Sequence, residues 1–74
     1  MKDCTIISTR SKIGGTIREL REKRGFNQEQ LAAKMNISRS TISKIESGKF
    51  NFSIDYLSKF AVFLNFEIVL IETE

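Results

Sequence analysis

The residues whose types and spacing could do chemistry are concentrated between Gln28 and Asn51. At about 100° of helix per residue, Arg39, Ser43, Ser47, Ser40 and Lys44 fall within an arc of roughly 140°, opposite Ile42 and Ile45. All five are polar, so the stripe offers cations and hydroxyls with no apolar interruption. A guanidinium or ammonium can meet guanine O6 and N7, and a hydroxyl can serve a base edge or a phosphate. Arg39, Ser40, Ser43 and Lys44 are therefore the candidates for reading bases. An ordinary solvated face is the commoner origin of such a stripe. Here a turn, helix caps and an uneven charge distribution coincide with it and favour a binding face.

Other chemistries lack their parts. The chain has no histidine and one cysteine, Cys4, so neither an internal disulfide nor the usual zinc-ligand cluster can be assembled. Any general base would be a carboxylate or a lysine, and no nucleophile stands paired with one. No enzyme, metal or cofactor is expected. Cys4 reads as an incidental thiol in an N-terminal arm.

The elements that must position the stripe come from a chain of 74 residues, enough for one domain. A domain of this size buries only about 60% of the surface exposed by its unfolded chain, so a partner surface would help it. Residues 1–50 carry eleven Lys/Arg against five Asp/Glu, a balance of +6, and residues 51–74 carry one against four, a balance of −3. The first part suits an anionic partner. No apolar run approaches the roughly 18 residues of a spanning helix, and Met1-Lys2-Asp3-Cys4 does not open a secretory signal. A cytoplasmic protein is expected, with no membrane partner.

Ile13, Ile17 and Leu20 repeat at i, i+4 and i+7, which predicts a helix from about Thr9 or Ser11 to Lys23, closed by Gly25. Gly14 and Gly15 within it signal either a close backbone approach or a frayed first turn. Asn27 and Gln30 make a capping-box pair for a helix over Gln28–Met35, with Leu31, Ala32 and Met35 on its apolar face. Asn36-Ile37-Ser38 breaks the chain, and asparagine tolerates the left-handed conformation of a tight exit. Ser38 caps a third helix ending at Ser47-Gly48. Ser53 caps a fourth, Ile54 to about Leu64, with Leu57, Ala61 and Leu64 on one face.

The end of the chain changes character. Phe66-Glu67-Ile68-Val69-Leu70-Ile71 is β-branched and aromatic and reads as a strand. It needs a partner, either its own symmetry mate or Thr5-Ile6-Ile7, which is itself either a short strand or a loose arm. The predicted organisation is an arm over 1–10, a helical domain over 11–65 and a strand with an acidic end over 66–74. The fold class is mainly α, with four or five helices and a C-terminal β-strand.

Two short helices joined by a three- to four-residue turn form a helix-turn-helix, whose second helix enters the major groove. The run Gln28-Glu29-Gln30-Leu31-Ala32, followed by Ile37-Ser38-Arg39-Ser40-Thr41-Ile42-Ser43-Lys44-Ile45-Glu46-Ser47-Gly48-Lys49, resembles the phage-repressor-like (Cro, lambda repressor, XRE) family over about Ile13–Leu64. It departs from the family at Asn36, where glycine is usual, and at Phe52, where proline is frequent.

The resemblance implies a sequence-specific repressor, autoregulatory, that binds a near-palindromic operator of double-stranded DNA. It implies that Gln28 binds a phosphate and braces Arg39, in keeping with the attraction of free helix N–H groups for phosphate. It places a phosphate clamp on Ser47, Lys49 and Asn51, with Thr41 among the phosphate contacts, and a structural ion pair on Arg21 and Glu46. That pair is either buried or two exposed charges of little consequence. Arg18, Lys23 and Arg24 read as solvated charges. The tail resembles that of Hip-type antitoxins, which implies a homodimer joined through Phe63, Phe66, Ile68, Val69 and Leu70, with Phe60 also facing the partner, and a kinase-like toxin as a further partner. The competing reading is a protein-interaction module that keeps the fold and binds DNA only secondarily.

Overall fold

In the computed structural model, which describes residues 3–73, four helices make up the regular structure: α1 Asp3–Lys23, α2 Gln28–Met35, α3 Arg39–Glu46 and α4 Ile54–Leu64. The side chain of Cys4 and the acidic residue Glu74 lie outside the described part.

Local chemistry sets most of the boundaries. Asn27 accepts from the Gln30 backbone N–H at 2.8 Å, and Gln30 Oε1 accepts from the Asn27 N–H at 2.7 Å, closing the capping box of α2. Ser38 and Ser53 cap α3 and α4 by accepting from the N–H groups of Thr41 and Tyr56 at 3.2 and 3.1 Å. Each such cap is worth about 1 kcal/mol. Asn36 ends α2 at φ 57°, the left-handed exit expected of it, and Asn65 ends α4 at the same φ.

Of the arm expected over residues 1–10, the described residues 3–10 are instead the first part of α1, and residues 5–7 are helical. Their hydroxyl and β-branched composition hides the period. Thr9 Oγ1 donates to the Thr5 carbonyl at 2.9 Å and Thr16 Oγ1 to the Lys12 carbonyl at 3.0 Å, so the threonines bond within the helix. Ile6 also continues the apolar stripe one heptad before Ile13.

The core is Ile17, Leu31, Ala32, Met35, Ile42, Ile45, Phe60 and Leu64, all buried. Full burial of one large apolar side chain contributes about 1.5–3 kcal/mol. Phe60 therefore serves this chain's own core and does not await a partner, while Leu57 and Ala61 are only half-buried. At Gly14 a Cβ would run into the Ile45 carbonyl and stand 2.9 Å from that of Glu46, so α1 lies directly on the end of α3. Nothing lies within 4 Å of a Cβ at Gly15.

Residues 66–73 form no strand, and there is none among the described residues. A strand needs a ladder partner, and residues 5–7 are taken up in α1. The segment turns back at Asn65 and runs beside Ile13 and Thr16 of α1 and Leu57 of α4. Phe66 is half-buried against the core.

Candidate nucleic-acid interface

The turn that presents α3 is built from backbone bonds. Ile37 N–H donates to the Ala32 carbonyl at 3.0 Å, and Ile42 and Ile45, both 0% exposed, anchor the inner face of α3. The outer face follows from that anchoring: Arg39, Ser40, Ser43, Lys44 and Ser47 are all exposed. The structure thus brings the base-reading candidates together on one rigid helix face.

Behind that face, Arg21 of α1 holds Glu46 at the end of α3 with two bonds, Nε to Oε2 at 2.7 Å and Nη2 to Oε1 at 3.1 Å. The two side chains are 9% and 4% exposed, so the pair is buried. Arg21 Nη1 also donates to the Phe26 carbonyl at 2.8 Å, tying the α1–α2 loop to the same point. The hydrogen bond with Glu46 raises the Arg21 pKa above its already high ordinary value, against the opposing effect of burial. Gln28 Nε2 donates to Glu46 Oε1 at 3.1 Å. Gln28 therefore braces Glu46, not Arg39 as the family pattern suggests, although Gln28 and Arg39 line one depression at the start of α2.

The remaining candidates divide. Lys49 and Asn51 are exposed in the loop after α3, and Ser47 is exposed with its hydroxyl donating to the Lys44 carbonyl at 3.1 Å. Gly48, at φ 78°, turns the chain there and packs against Ser11 of α1. The Thr41 hydroxyl is 2.7 Å from that of Ser38, inside the α3 cap, which ties it to the helix start. Arg24 is not a merely solvated charge: its Nε donates to the Leu64 carbonyl at 3.0 Å and its Nη2 to the Asn65 carbonyl at 3.2 Å. It satisfies acceptors at the end of α4, where a cation is favoured. Only the fold could reveal a contact across forty residues of sequence. Arg18 pairs with Glu22 at 3.6 Å on the surface of α1, and the two side chains are 63% and 56% exposed.

A second exposed feature is apolar. Ile68, Val69 and Leu70 are 41%, 66% and 95% exposed, while Phe63 and Phe66 are half-buried at the base of the same segment. No helix is long and apolar enough to cross a membrane, and no group of three or more potential metal ligands occurs, among the described residues.

Comparison with known proteins agrees with this geometry. The pattern of the helix-turn-helix family matches residues 17–71. An uncharacterized HTH-type transcriptional regulator of Archaeoglobus fulgidus is 44% identical over 52 residues, covering 70% of this chain and 74% of that protein. The ImmF control region 10 kDa protein of Bacillus phage phi105 is 30% identical over 57 residues, covering 77% of this chain and 63% of that protein. The crystal structure of the restriction-modification controller protein C.AhdI from Aeromonas hydrophila superposes with a TM-score of 0.75 at 35% identity, covering 81% of this chain and 91% of that one.

Proposed function

The chain belongs to the helix-turn-helix family of Cro and lambda-repressor type, and from that premise we propose that it is a sequence-specific repressor acting as a homodimer on a near-palindromic operator. It is a DNA-binding transcriptional regulator, not an enzyme. Arg39, Ser40, Ser43 and Lys44 read base edges in the major groove, and Gln28, Thr41, Ser47, Lys49 and Asn51 position the backbone. The observation that carries this reading is the outward polar face of α3, held by fully buried Ile42 and Ile45 and by the two-bonded Arg21–Glu46 pair.

The homodimer rests on the apolar residues 68–70 beside Phe63 and Phe66. An exposed apolar patch is costly in water, and a two-fold mate presents the same patch to cover it. The fourth helix and tail of one subunit then meet those of the other. The protein acts on its own operon, a role supported by its likeness to a restriction-modification controller and a phage control-region protein. None of the relatives above is described as an antitoxin, so nothing supports a Hip-type identity or a kinase-like toxin partner.

Footprinting on the DNA upstream of the chain's own gene tests the proposal. Two protected half-sites about 34 Å apart are expected, because a two-fold dimer sets its recognition helices one helical turn apart. A single asymmetric patch would overturn the dimeric reading. The exposed tail also suits a protein-interaction module, and absence of any operator preference at moderate salt would favour that reading.

A further inference from the structure

Arg18 occupies a place that its sequence position does not disclose. It lines one depression with Gln28, Ser43, Glu46 and Ser47, at the meeting of α1, the start of α2 and the end of α3. Arg21 and Glu46 at the floor of the depression neutralise one another. Arg18 is thus the cation at its rim, beside one proposed base-reading residue, Ser43, and two proposed phosphate contacts, Gln28 and Ser47. Lys23, five residues on, sits about 140° further round α1 and faces away from that depression.

We propose that Arg18 is a phosphate-binding residue of the DNA interface, held in reserve by Glu22. This rests on the DNA-binding reading above. In the free protein Glu22 lies 3.6 Å from the Arg18 Nε, an i,i+4 arrangement between exposed side chains. Such pairs are weak and screened by salt. A phosphate offers a full charge and several acceptor oxygens, which a guanidinium meets with charge-assisted hydrogen bonds. On the duplex, Arg18 exchanges the carboxylate for a backbone phosphate next to the one bound near Gln28 and Ser47. The footprint of each subunit then includes α1, and Glu22 sets how much of that contact is gained on binding.

The test is operator affinity as a function of salt for the full chain and for Arg18→Ala, Lys23→Ala, Glu22→Gln and the double variant Arg18→Ala/Glu22→Gln. These side chains are exposed, so folding is not at issue. One lost phosphate contact lowers the slope of log K against log salt by about 0.9. The proposed dimer loses two such contacts, one per subunit, so the advantage of the native protein over Arg18→Ala should shrink about 12-fold between 50 and 200 mM salt. Lys23→Ala should leave the slope within about a third of that change. Glu22→Gln should raise affinity in the native background and not in the Arg18→Ala background. Equal effects of Arg18→Ala and Lys23→Ala, or a Glu22→Gln gain that survives loss of Arg18, would reduce Arg18 to a diffuse charge and overturn the proposal. Lys49→Ala serves as the control: if it weakens binding while Arg18→Ala does not, this inference fails and the DNA-binding reading stands.

Discussion

Replacing Glu46 by alanine should be among the most damaging single changes outside the apolar core. The substitution leaves the Arg21 guanidinium, whose side chain is only 9% exposed, without its bonds at 2.7 and 3.1 Å. It also removes the acceptor of Gln28 Nε2. Breaking a buried ion pair from one side costs about 3–5 kcal/mol. Arg21 keeps the Phe26 carbonyl at 2.8 Å, which places the expected loss near the lower end, about 3 kcal/mol. At 0.05–0.15 kcal/mol per residue a domain of this length has about 4–11 kcal/mol in all, so the variant is close to the limit of folding. The melting temperature should fall by about 12–24 °C.

Urea unfolding of Arg21→Ala, Glu46→Ala and the double variant gives the coupling directly. The double variant leaves no orphaned charge, so it should be less destabilised than the two single losses added together, by about 2 kcal/mol. Arg18 and Glu22 supply the comparison within the same helix, since their side chains are more than half exposed and should couple by no more than about 0.5 kcal/mol. A coupling between Arg21 and Glu46 as small as that would refute the reasoning. The contribution of the Arg21 charge should not vary through neutral pH. Its folded-state pKa is raised above a value that is already strongly alkaline, so this stabilisation is lost only as pH rises through that folded value.

Gly14→Ala should destabilise by about 1–3 kcal/mol in urea melts, because the new methyl meets backbone carbonyls that cannot move aside. Gly15→Ala, with open space around it, should instead stabilise α1 by about 0.5–1 kcal/mol. Arg39→Ala and Lys44→Ala should each lose about 1–3 kcal/mol of discrimination between operator and random DNA in competition gel shifts. Lys49→Ala should weaken both DNAs alike and flatten the salt slope by about one unit per subunit; the opposite pattern would invert the assigned roles. Leu70→Asp, at a side chain 95% exposed in the single chain, should leave helix content unchanged in circular dichroism. It should also convert the dimer to a monomer in sedimentation at micromolar concentration, and an undiminished dimer would place the interface elsewhere.

Much of the fold was legible because its signals are local. Asn27 with Gln30, Ser38, Ser53 and Asn36 each act through groups within four residues, and α2 and α4 have the predicted bounds. The outward face of α3 was legible for a related reason, since helical geometry alone sets Arg39, Ser43 and Lys44 opposite Ile42 and Ile45. Residues 3–10 were not, because a threonine such as Thr9, which bonds back to the Thr5 carbonyl, carries no mark in sequence that separates it from a loop or strand. Phe60 was misplaced because Leu57, Ala61 and Leu64 and the pair Phe60 and Leu64 both satisfy helical spacing. Packing against α1 and α2 decides between them.

The tail and the charges of α1 expose a more general limit. Periodicity says which side chains share a face, but not what stands opposite. Arg18, Arg21 and Arg24 are one residue type at three-residue spacing, and their surroundings give them three roles. Arg21 is buried on Glu46, Arg24 reaches carbonyls at the end of α4, and Arg18 stands at the rim of the α3 depression. Arg24 in turn helps to set where the tail departs, because it holds the carbonyls of Leu64 and Asn65 just before Phe66. The exit from α4 is thus fixed by a cation near the start of the helix-turn-helix unit. Residues 66–70 are laid along α1, with Leu70 left 95% exposed. The helix along which the tail lies is thus the one that carries Arg18 and Arg21 to the α3 depression, so under the proposed dimer the seating of the tail would set the spacing of the two recognition helices.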